Sequence, residues 1–529
     1  MTKYSIVVVI TMMMALPAGV SGIETSFSIG QHPVIISGTV LYVGGVGPGN
    51  YTTIQQAVDN ASDGDTVFVF DDASPYYEHV RINTSLQLLG ENKSTTVIDG
   101  GDYGDVVTIN KSGVTVAGFT LRRNDWYDDG IVLHASQVII QDNRIVNCRY
   151  AVNADHVDNI TITKNEFSEN NMGISIYNSG GDHISGNTLN DTYLLGIDLG
   201  KSIGGSIIEG NLIIATTDDT IAPSYVGIRL WETCHATISN NTMVSLLDTC
   251  YGGLELTTSN DNTIHHNTFI KNGITLYQSY HNVISETNIV NGKPFVFLTG
   301  ETDKTVVDAG QVFLFQCQRI TVKNLVLSNL DAGITLLNST GCTIQGNTLS
   351  LCRQGIFLQN SKRNTISGNV IMNCTEAIDT MQGVANVISN NTIQNSTYYG
   401  FVLNERSSAV SGNIILDNPI GIIVAGRRNN EISGNVFKHN LVGVSLIGTS
   451  HNTIEKNNFL HNTNDSFFDN AVRNRWDQNY WGEPLSKPKV IHGYLITWEG
   501  YAPWPGGYHV IRIPWVNIDW HPAQTPYDM

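Results

Sequence analysis

The stretch Asn364-Thr-Ile-Ser-Gly-Asn-Val-Ile371 belongs to one of six consecutive segments that align at a spacing of 22 residues without gaps. A fixed period of roughly 20 to 50 residues indicates a repeat architecture. The short alternating stretches lie between Asn, Gly and Ser turns and lack helical periodicity, so each segment is predicted to form one turn of a parallel β-solenoid. Three columns recur, two apolar and one of asparagine: Ile344, Ile366, Ile388, Val410, Ile432 and Ile454; Leu349, Ile371, Ile393, Ile415, Phe437 and Phe459; Asn347, Asn369, Asn391, Asn413, Asn435 and Asn457.

The asparagine column is predicted to be structural. Asparagine tolerates a left-handed backbone, and its amide can bond the neighbouring backbone or a stacked asparagine in the next turn. We therefore assign these side chains no role in ligand binding.

A second pattern, Gly-apolar-x-apolar, predicts the strand that carries the core. Side chains alternate faces along a strand, so the first and third residues after the glycine point inward. The inward residues are almost wholly Ile, Leu and Val, which predicts an all-β fold: a single-stranded parallel β-helix of about thirteen turns, roughly 60 Å long. The pattern starts at Gly130, Gly173, Gly196, Gly227, Gly253, Gly273, Gly333, Gly355, Gly421 and Gly443, with Ala151, Ala377 and Gly400 in the same slot.

The ends of the predicted solenoid differ from the repeats. Tyr51–Asn60 has apolar residues at helical spacing and predicts a short helix over the first turn. From Asn470 onward the repeat stops and six tryptophans occur, which predicts an irregular cap over the last sheet edge. The predicted divisions are a signal peptide, 1–22; the N-terminal cap and first turns, 23–95; the repeats, 96–469, with an irregular insertion at about 291–330; and the C-terminal cap, 470–529.

The N-terminus predicts export. Lys3 precedes an apolar run from Tyr4 to Ala18 and a small-residue cleavage signal that ends at Gly22, as in a secretory signal peptide. We expect a secreted, extracellular or cell-surface protein with no later segment that spans a bilayer. About thirteen Asn-x-Ser/Thr triplets would accept glycans in a glycosylating organism. The formal net charge of −18 disfavours nucleic acid and anionic membranes as partners. The oligomeric state is not predicted.

The seven cysteines are interpreted mainly as buried thiols. Cys148, Cys250, Cys352 and Cys374 each lie three positions before the glycine slot and share one column. Cys352 and Cys374 would lie on adjacent turns, close enough for a disulfide by Cα distance, although stacked geometry rarely provides a suitable dihedral angle.

The candidate site lies on the outward positions of the glycine-column strand, because stacking places these positions about 4.8 Å apart on neighbouring turns. The turns around Gly227 are longer than the rest, so residues 216–225 and 246–251 are expected to form loops beside the site. Beyond Thr335 the outward positions are interpreted as apolar or uncharged, and no site is predicted there. The candidate residues are Asn153, Asp155, Tyr177, Asp198, Arg229, Trp231, Glu255 and Tyr277.

Three interpretations of this patch remain open. Aromatic side chains and charged groups between loops suit a sugar-binding cleft, with Tyr177, Trp231, Tyr277, Asn153 and Asp155 as ligand-binding residues. A carboxylate pair, Asp198 and Glu255, could instead act as acid and base in glycosidic cleavage, with Arg229 neutralising a uronate. The third interpretation is a solvated ion-pair ladder in which Arg229 neutralises both carboxylates.

No cofactor or metal site is predicted. Asp125, Asp128 and Asp129 could bind Ca²⁺ through oxygen ligands, but they lack the spacing of a calcium loop and are better explained as a solvated turn. His265 and His266 are adjacent in a predicted strand, so they should face opposite sides and fail to share one metal ion.

The repeated Asn-Thr-Ile-x-Gly-Asn and Gly-Ile-x-Leu motifs resemble the NosD-like, or CASH-domain, family within the pectin-lyase-like superfamily, over roughly residues 40 to 470. The run Asn291-Gly-Lys-Pro resembles an insertion in archaeal secreted members. The resemblance implies a right-handed parallel β-helix. NosD is linked to copper-site maturation, but no copper ligand set is matched here. The catalytic motifs of pectate lyases, polygalacturonases, pectinesterases and alginate epimerases are absent, so no catalytic residue is transferred; Arg512-Ile-Pro514 lacks the second arginine of the lyase motif.

The leading prediction from the sequence is a secreted or cell-surface β-helix that binds polysaccharide or cell-surface glycans, or serves as a structural surface module. The alternatives are a polysaccharide lyase or glycoside hydrolase acting on acidic glycans, and an S-layer or adhesin module without a small ligand.

Overall fold

The computed structural model describes residues 38–123, 127–215, 225–246, 251–502 and 507–528. The predicted signal peptide, Asp125, Cys250 and most of the two predicted loops beside the site lie outside these residues. Among the described residues, no helix is long and apolar enough to cross a membrane.

The chain folds as a parallel β-solenoid of about 20 turns, so the prediction of about thirteen turns was low. The glycine pattern missed turns whose strands carry no glycine, such as Val80–Ile82 and Val107–Ile109. Successive turns stack strand on strand, and each strand pairs in parallel with the strand one turn away. The solenoid therefore has three stacks of strands, which are interrupted near residue 290.

The stack that bears the candidate site is called the long-strand stack, because many of its strands have six or more residues. Before the interruption it consists of Val80–Ile82, Val107–Ile109, Ile131–Leu133, Tyr150–Asp155, Met172–Tyr177, Leu195–Gly200, Val226–Trp231, Tyr251–Thr257 and Asn272–Tyr277. After it, the stack continues with Lys293–Thr299, Gln311–Phe315, Ala332–Leu337, Gln354–Gln359, Glu376–Val384, Tyr399–Arg406, Ile420–Ala425, Val442–Ile447 and Asn464–Asp469.

The other two stacks consist of short strands. One contains Val40–Val43, Thr66–Val69, Gln87–Gly90, Thr115–Ala117, Ile139–Gln141, Thr161–Thr163, His183–Ser185, Ile207–Glu209, Thr237–Ser239, Thr263–His265 and Val283–Ile284, then Thr305–Val306, Thr321–Lys323, Thr343–Gln345, Thr365–Ser367, Val387–Ser389, Ala409–Ser411, Glu431–Ser433, Thr453–Glu455 and Arg475–Asp477. The other contains Tyr76–Tyr77, Val97–Asp99, Thr120–Arg122, Arg144–Val146, Glu166–Ser168, Thr188–Asn190, Leu212–Ala215, Thr242–Ser245, Thr268–Ile270 and Ile289–Val290, then Val326–Ser328, Thr348–Ser350, Val370–Met372, Thr392–Gln394, Ile414–Leu416, Val436–Lys438 and Asn458–Leu460.

Two repeated features hold the turns together. The inward residues of the strands, such as Ile228 and Leu230, are fully buried and form one continuous apolar core. The asparagine column is buried as a ladder: the Asn369 backbone N–H and side-chain amide both donate to Asn391 Oδ1, at 3.0 and 2.9 Å. The same contacts link Asn391 to Asn413, which agrees with the predicted structural role.

The single helix of the described residues, Ile54–Asn60, lies near the start of the solenoid, within the segment predicted to be helical. The Thr53 side chain accepts a hydrogen bond from the Gln56 backbone and serves as the N-cap. The Glu78 carboxylate accepts hydrogen bonds from the backbone N–H groups of Ile54 and Gln55, at 2.8 and 2.9 Å. These contacts satisfy donors that a helix start leaves unpaired.

The stacks break at the predicted insertion. Ile289–Val290 turns back on Lys293–Thr299 as an antiparallel pair, and Asn272–Tyr277 has only Tyr251–Thr257 as a paired strand in the described chain. The Gln311 side chain bridges the gap: its Oε1 accepts the Ile274 N–H, and its Nε2 donates to the carbonyls of Ile274 and Ala332. One amide side chain thus replaces the missing backbone partner of the strand.

The C-terminal region contains regular structure where the sequence predicted an irregular cap. Lys489–Ala502 and Gly507–Asp519 form a long antiparallel hairpin that pairs with Asn464–Asp469 and Arg475–Asp477. The alternation of β-branched and aromatic residues in this region explains the strands.

The six described cysteines form no disulfide, which agrees with the interpretation of thiols. Five are buried, and Cys234 is partly exposed. Cys352 and Cys374 lie on adjacent turns, and a hydrogen bond between their side chains lowers the pKa of the Cys374 thiol.

Candidate functional site

The register of the long-strand stack brings the predicted patch together. Asp198 lies opposite Arg229, and Arg229 lies opposite Glu255, on three successive turns. Tyr177 and Trp231 flank this row, with ring centroids 6.1 Å apart. The Tyr177 ring covers Gly200, where a Cβ atom would lie 2.4 Å from the ring, so only glycine permits this approach.

Asp198, Arg229 and Tyr177 form a closed hydrogen-bonded network. Arg229 Nε and Nη2 donate to the two Asp198 carboxylate oxygens at 2.8 and 2.6 Å. The Tyr177 hydroxyl donates to Asp198 Oδ2 at 2.6 Å and accepts from Arg229 Nη2 at 3.0 Å. Burial and the Asp198 carboxylate raise the pKa of Tyr177 to about 12. The carboxylate of Asp198, which is 2 % exposed, is therefore occupied by partners within the protein.

Glu255 differs from Asp198 although both flank Arg229. Its carboxylate accepts a hydrogen bond from the Thr257 hydroxyl at 3.1 Å, and no salt bridge joins it to a described basic residue. Burial raises the pKa of Glu255. The arginine is thus committed to one carboxylate, and the symmetrical ladder that the sequence suggested is absent.

Asn153 and Asp155 lie nearer the start of the same stack and are bonded to other residues. Asn153 Nδ2 donates to Asp129 Oδ2 at 2.7 Å, and Asn178 Nδ2 donates to Asp155 Oδ1 at 2.7 Å. The hydrogen bond from Asn178 lowers the pKa of the Asp155 carboxyl. These contacts place the two residues at the edge of the patch.

The acidic turn considered for Ca²⁺ is paired with arginine in its described part. Asp128 contacts Arg123 at 3.3 Å, and Asp129 contacts Arg149 at 3.0 Å. Asp125 lies outside the described residues. The two described carboxylates therefore already have cationic partners.

A cleft of about 490 Å³ opens on the outward face at the break in the stack. It lies where Asn272–Tyr277 separates from the strands that follow the insertion. Apolar side chains form much of its lining: Leu276, Tyr280, Phe313, Leu337, Phe357 and Met381. The polar residues of the lining are Thr257, Thr258, Thr275, Tyr277, Gln278, Asp331, Thr335, Arg353, Gln354 and Gln359. Of the predicted site residues, only Tyr277 lines this cleft.

An ion pair at the cleft joins its two sides. Arg353 donates to both oxygens of Asp331, from Nη2 at 3.1 Å and from Nε. Arg353 Nη2 also donates to the Tyr277 hydroxyl at 3.2 Å, and the Thr275 hydroxyl donates to Asp331 Oδ2 at 3.1 Å. Partial burial and the nearby Asp331 raise the pKa of Tyr277 to about 12. The network connects the strand before the insertion to the turns after it.

A second group of carboxyls lies beside the cleft. Gln354 Nε2 donates to Asp379 Oδ2 at 2.9 Å and to Glu376 Oε2 at 3.2 Å. Asp379 is 8 % exposed. Burial, with a smaller contribution from the Glu376 charge, raises the pKa of Asp379 to about 7.

The sequence interpretation missed this second group. The sequence pattern predicts apolar or uncharged residues at the outward positions beyond Thr335. This prediction is wrong at Asp379, which pairs with Phe357 in the same outward column. The signal was present, because Ala377 fills the glycine slot and Asp379 follows at the outward position. Asp331 and Arg353 precede the strand pattern, so the glycine register gave no indication of them.

The two adjacent histidines converge, contrary to the sequence prediction. The strand ends at His265, and His266 adopts a left-handed conformation with φ of 56°. Their Nδ1 atoms consequently lie 2.9 Å apart on an exposed turn. The described residues contain no group of three or more His, Cys, Asp or Glu arranged to hold a metal ion.

The chain matches the protein family described as "Periplasmic copper-binding protein (NosD)" over residues 36–272, 214–309 and 299–494. These matches cover most of the chain, so the protein belongs to the NosD family. No curated protein matches it.

Several solved structures are similar at low identity. The catalytic domain of a GH87 α-1,3-glucanase is 13% identical, with 75% of this chain and 66% of that chain covered and a TM-score of 0.34. The tailspike protein of E. coli bacteriophage HK620 is 10% identical, with coverage of 86% and 80% and a TM-score of 0.30. The periplasmic alginate epimerase AlgG is 11% identical, with coverage of 59% and 64% and a TM-score of 0.26. No residue role is transferred from these proteins.

Proposed function

We propose that this protein is an exported glycan-binding solenoid whose ligand site is the cleft at the break in the long-strand stack. The observation that carries the proposal is the cleft itself, because its volume of about 490 Å³ and its mixture of apolar walls and a few polar groups suit a small-molecule site. The predicted signal peptide and the periplasmic description of the family support an exported protein.

The lining chemistry favours a sugar over a wholly apolar ligand. Aromatic faces such as those of Phe357 and Tyr277 offer flat apolar contact area for the C–H groups of a sugar ring. Side chains such as Gln359, Gln278 and Thr258 supply donors and acceptors for hydroxyl groups. A ligand with alternating apolar and hydroxyl surfaces matches both kinds of wall.

The position of the cleft also suits a polymer. Trp231 and Tyr277 lie in the same outward column, two turns apart, which corresponds to a backbone separation of roughly 10 Å. A sugar chain that runs along the solenoid axis would therefore extend from the cleft towards Trp231. In this arrangement the patch that contains Tyr177, Asp198, Arg229 and Trp231 is an extension of the site, and the cleft is its centre.

Binding to immobilised and soluble glycans tests the proposal. Phe357→Ala should weaken binding roughly ten-fold through the loss of one aromatic contact. Phe467→Ala is the matched control, because Phe467 occupies the same outward column five turns later and does not line the cleft. Equal binding by the two variants, or the absence of any bound glycan across neutral, acidic and amino glycans, would contradict the proposal and favour an adhesin or surface-layer module.

A glycoside hydrolase is the second candidate function, and Asp379 is the observation that favours it. A carboxyl with a pKa of about 7 can remain protonated near neutral pH and act as a general acid. This assignment replaces Asp198 as the acid, because Asp198 is bonded to Arg229 and Tyr177. Release of new reducing ends by the wild type, and its loss in Asp379→Asn, would establish hydrolysis.

Copper binding, which the family description names, has limited support in this chain. His265 and His266 offer two converging imidazoles, but a tight copper site requires further ligands, and the described residues contain no cluster of three. The residues present do not fit a closed copper site. No step of the proposed function depends on a metal.

A further inference from the structure

We infer that the cleft selects glycans that carry amino groups and disfavours glycans that carry carboxylates. This inference rests on the proposed glycan-binding function and specifies the class of ligand. It is the opposite of the sequence-based alternative, in which Arg229 neutralises a uronate.

Both arginines of the site, Arg229 and Arg353, already form ion pairs with carboxylates of the protein. Arg229 contacts the two oxygens of Asp198, and Arg353 contacts the two oxygens of Asp331. A uronate would have to displace a carboxylate of the protein from either guanidinium, and that carboxylate would then be left buried without its partner. Among the described residues that line the cleft, Arg353 is the only basic one.

The carboxyls around the cleft, by contrast, outnumber their cationic partners. Glu255 lies beside Thr275 on the neighbouring strand, and Asp379 lies beside Phe357; both Thr275 and Phe357 line the cleft. Glu376 and Asp379 share one amide donor, Gln354. No salt bridge joins Glu255, Glu376 or Asp379 to a basic residue in the described parts of the chain. These three acidic groups therefore have no direct cationic partner among the described residues, and Asp379, whose pKa is about 7, is charged only above that pH or when a bound cation displaces its proton.

A bound ammonium group would supply the missing charge. Partly buried carboxylates attract a cation more strongly than exposed ones, because the effective dielectric constant is lower. A charge-assisted hydrogen bond from an amino sugar to Asp379 or Glu376 would satisfy an oxygen that the protein leaves with one neutral donor. The same charges repel a uronate, so one arrangement accounts for both the preference and the exclusion.

Equilibrium binding of three probes of equal length tests the inference: trimers of glucosamine, N-acetylglucosamine and galacturonic acid. The measurement is made by calorimetry with the full chain at about pH 7, where the glucosamine amines and the Asp379 carboxyl are both partly ionised. We expect the glucosamine trimer to bind roughly ten-fold more tightly than its acetylated form, which is the effect of about one charge-assisted hydrogen bond. The galacturonic acid trimer should bind most weakly.

The double variant Glu376→Gln/Asp379→Asn separates a specific preference from general attraction to a chain of net charge −18. We expect the preference for glucosamine to disappear in this variant, while binding of the acetylated trimer is retained. Asp417→Asn removes an exposed carboxylate on another face and should leave the preference unchanged.

The outcomes distinguish failure of the amino-sugar preference from failure of the proposed glycan-binding function. Equal or tighter binding of galacturonic acid, or a glucosamine preference that persists in the double variant, would overturn the inference and leave glycan binding intact. Failure of every probe, together with failure of the broader glycan panel, would overturn both.

Discussion

Arg353 contacts both carboxylate oxygens of Asp331 on the preceding turn, and this pair repeats, on the far side of the insertion, the contact of Arg229 with Asp198. The two ion pairs lie on the same outward face, on opposite sides of the break that opens the cleft. Each arginine is thereby committed to one carboxylate. Three other acidic groups of this face form no ion pair with a described basic residue: Glu255, Glu376 and Asp379.

The Arg229–Asp198 pair should contribute strongly to stability. Arg229→Ala leaves Asp198 buried and without its cation, which we expect to lower the free energy of unfolding by about 3 kcal/mol. Chemical denaturation followed by circular dichroism measures the change. Arg319→Ala is the control, because Arg319 and Asp303 form a solvent-exposed pair that should contribute much less to stability. Similar losses in the two variants would show that burial of Asp198 has no special effect.

The buried asparagine ladder should be sensitive to interruption at its middle. Asn413 accepts hydrogen bonds from Asn391 and donates to Ile388 and Asn435, so Asn413→Ala leaves several buried groups without partners. We expect a loss of roughly 3 kcal/mol in the free energy of unfolding. Asn404→Ala, at a partly exposed strand position, should cost much less. A ladder variant as stable as this control would rule out the structural role.

Gln311 should determine whether the strand before the insertion stays attached to the turns after it. Gln311→Glu retains the size of the side chain but removes the two N–H donors to Ile274 and Ala332. We expect this change to cost roughly 2 to 4 kcal/mol and to increase amide hydrogen exchange in Asn272–Tyr277. Exchange measured by mass spectrometry would locate the effect, and unchanged exchange in this strand would contradict the bridging role.

Asp379 should make stability depend on pH in a defined window. Its pKa is about 7 in the folded protein and about 4 when unfolded, so between these values the folded state holds one proton more than the unfolded state. The resulting contribution to stability is full below about pH 4, falls by roughly 1.4 kcal/mol per pH unit and is lost above about pH 7. Asp379→Asn should remove this slope and be more stable than the wild type above pH 7 by roughly 4 kcal/mol.

Thermal unfolding of the two proteins from acid to neutral pH provides the check. Parallel pH profiles for wild type and Asp379→Asn would show that the carboxyl is not protonated in the fold. Glu483→Gln serves as the exposed control, since Glu483 is solvent-exposed and its replacement should not change the profile.

Much of the site was predictable residue by residue, but its centre was not. The glycine register correctly placed Tyr177, Asp198, Arg229 and Glu255 on one face, because a strict repeat transfers position from one turn to the next. It also contained Asp379, which was overlooked. The repeat pattern could not predict the cleft, because the cleft forms where the repeat is interrupted. The residues that bridge or line it there, Asp331, Arg353 and Gln311, come from segments without the pattern.

The sequence by itself determined the parallel β-solenoid, the direction of each side chain in a strand and the buried asparagine ladder. These follow from local rules: strand alternation, the 22-residue period and the turn preference of asparagine. Only the tertiary structure decided which carboxylate each arginine contacts, how His265 and His266 converge, and where the stack opens into a cleft. These features depend on side-chain rotamers and on the offset between two halves of the stack, and a one-dimensional pattern contains neither.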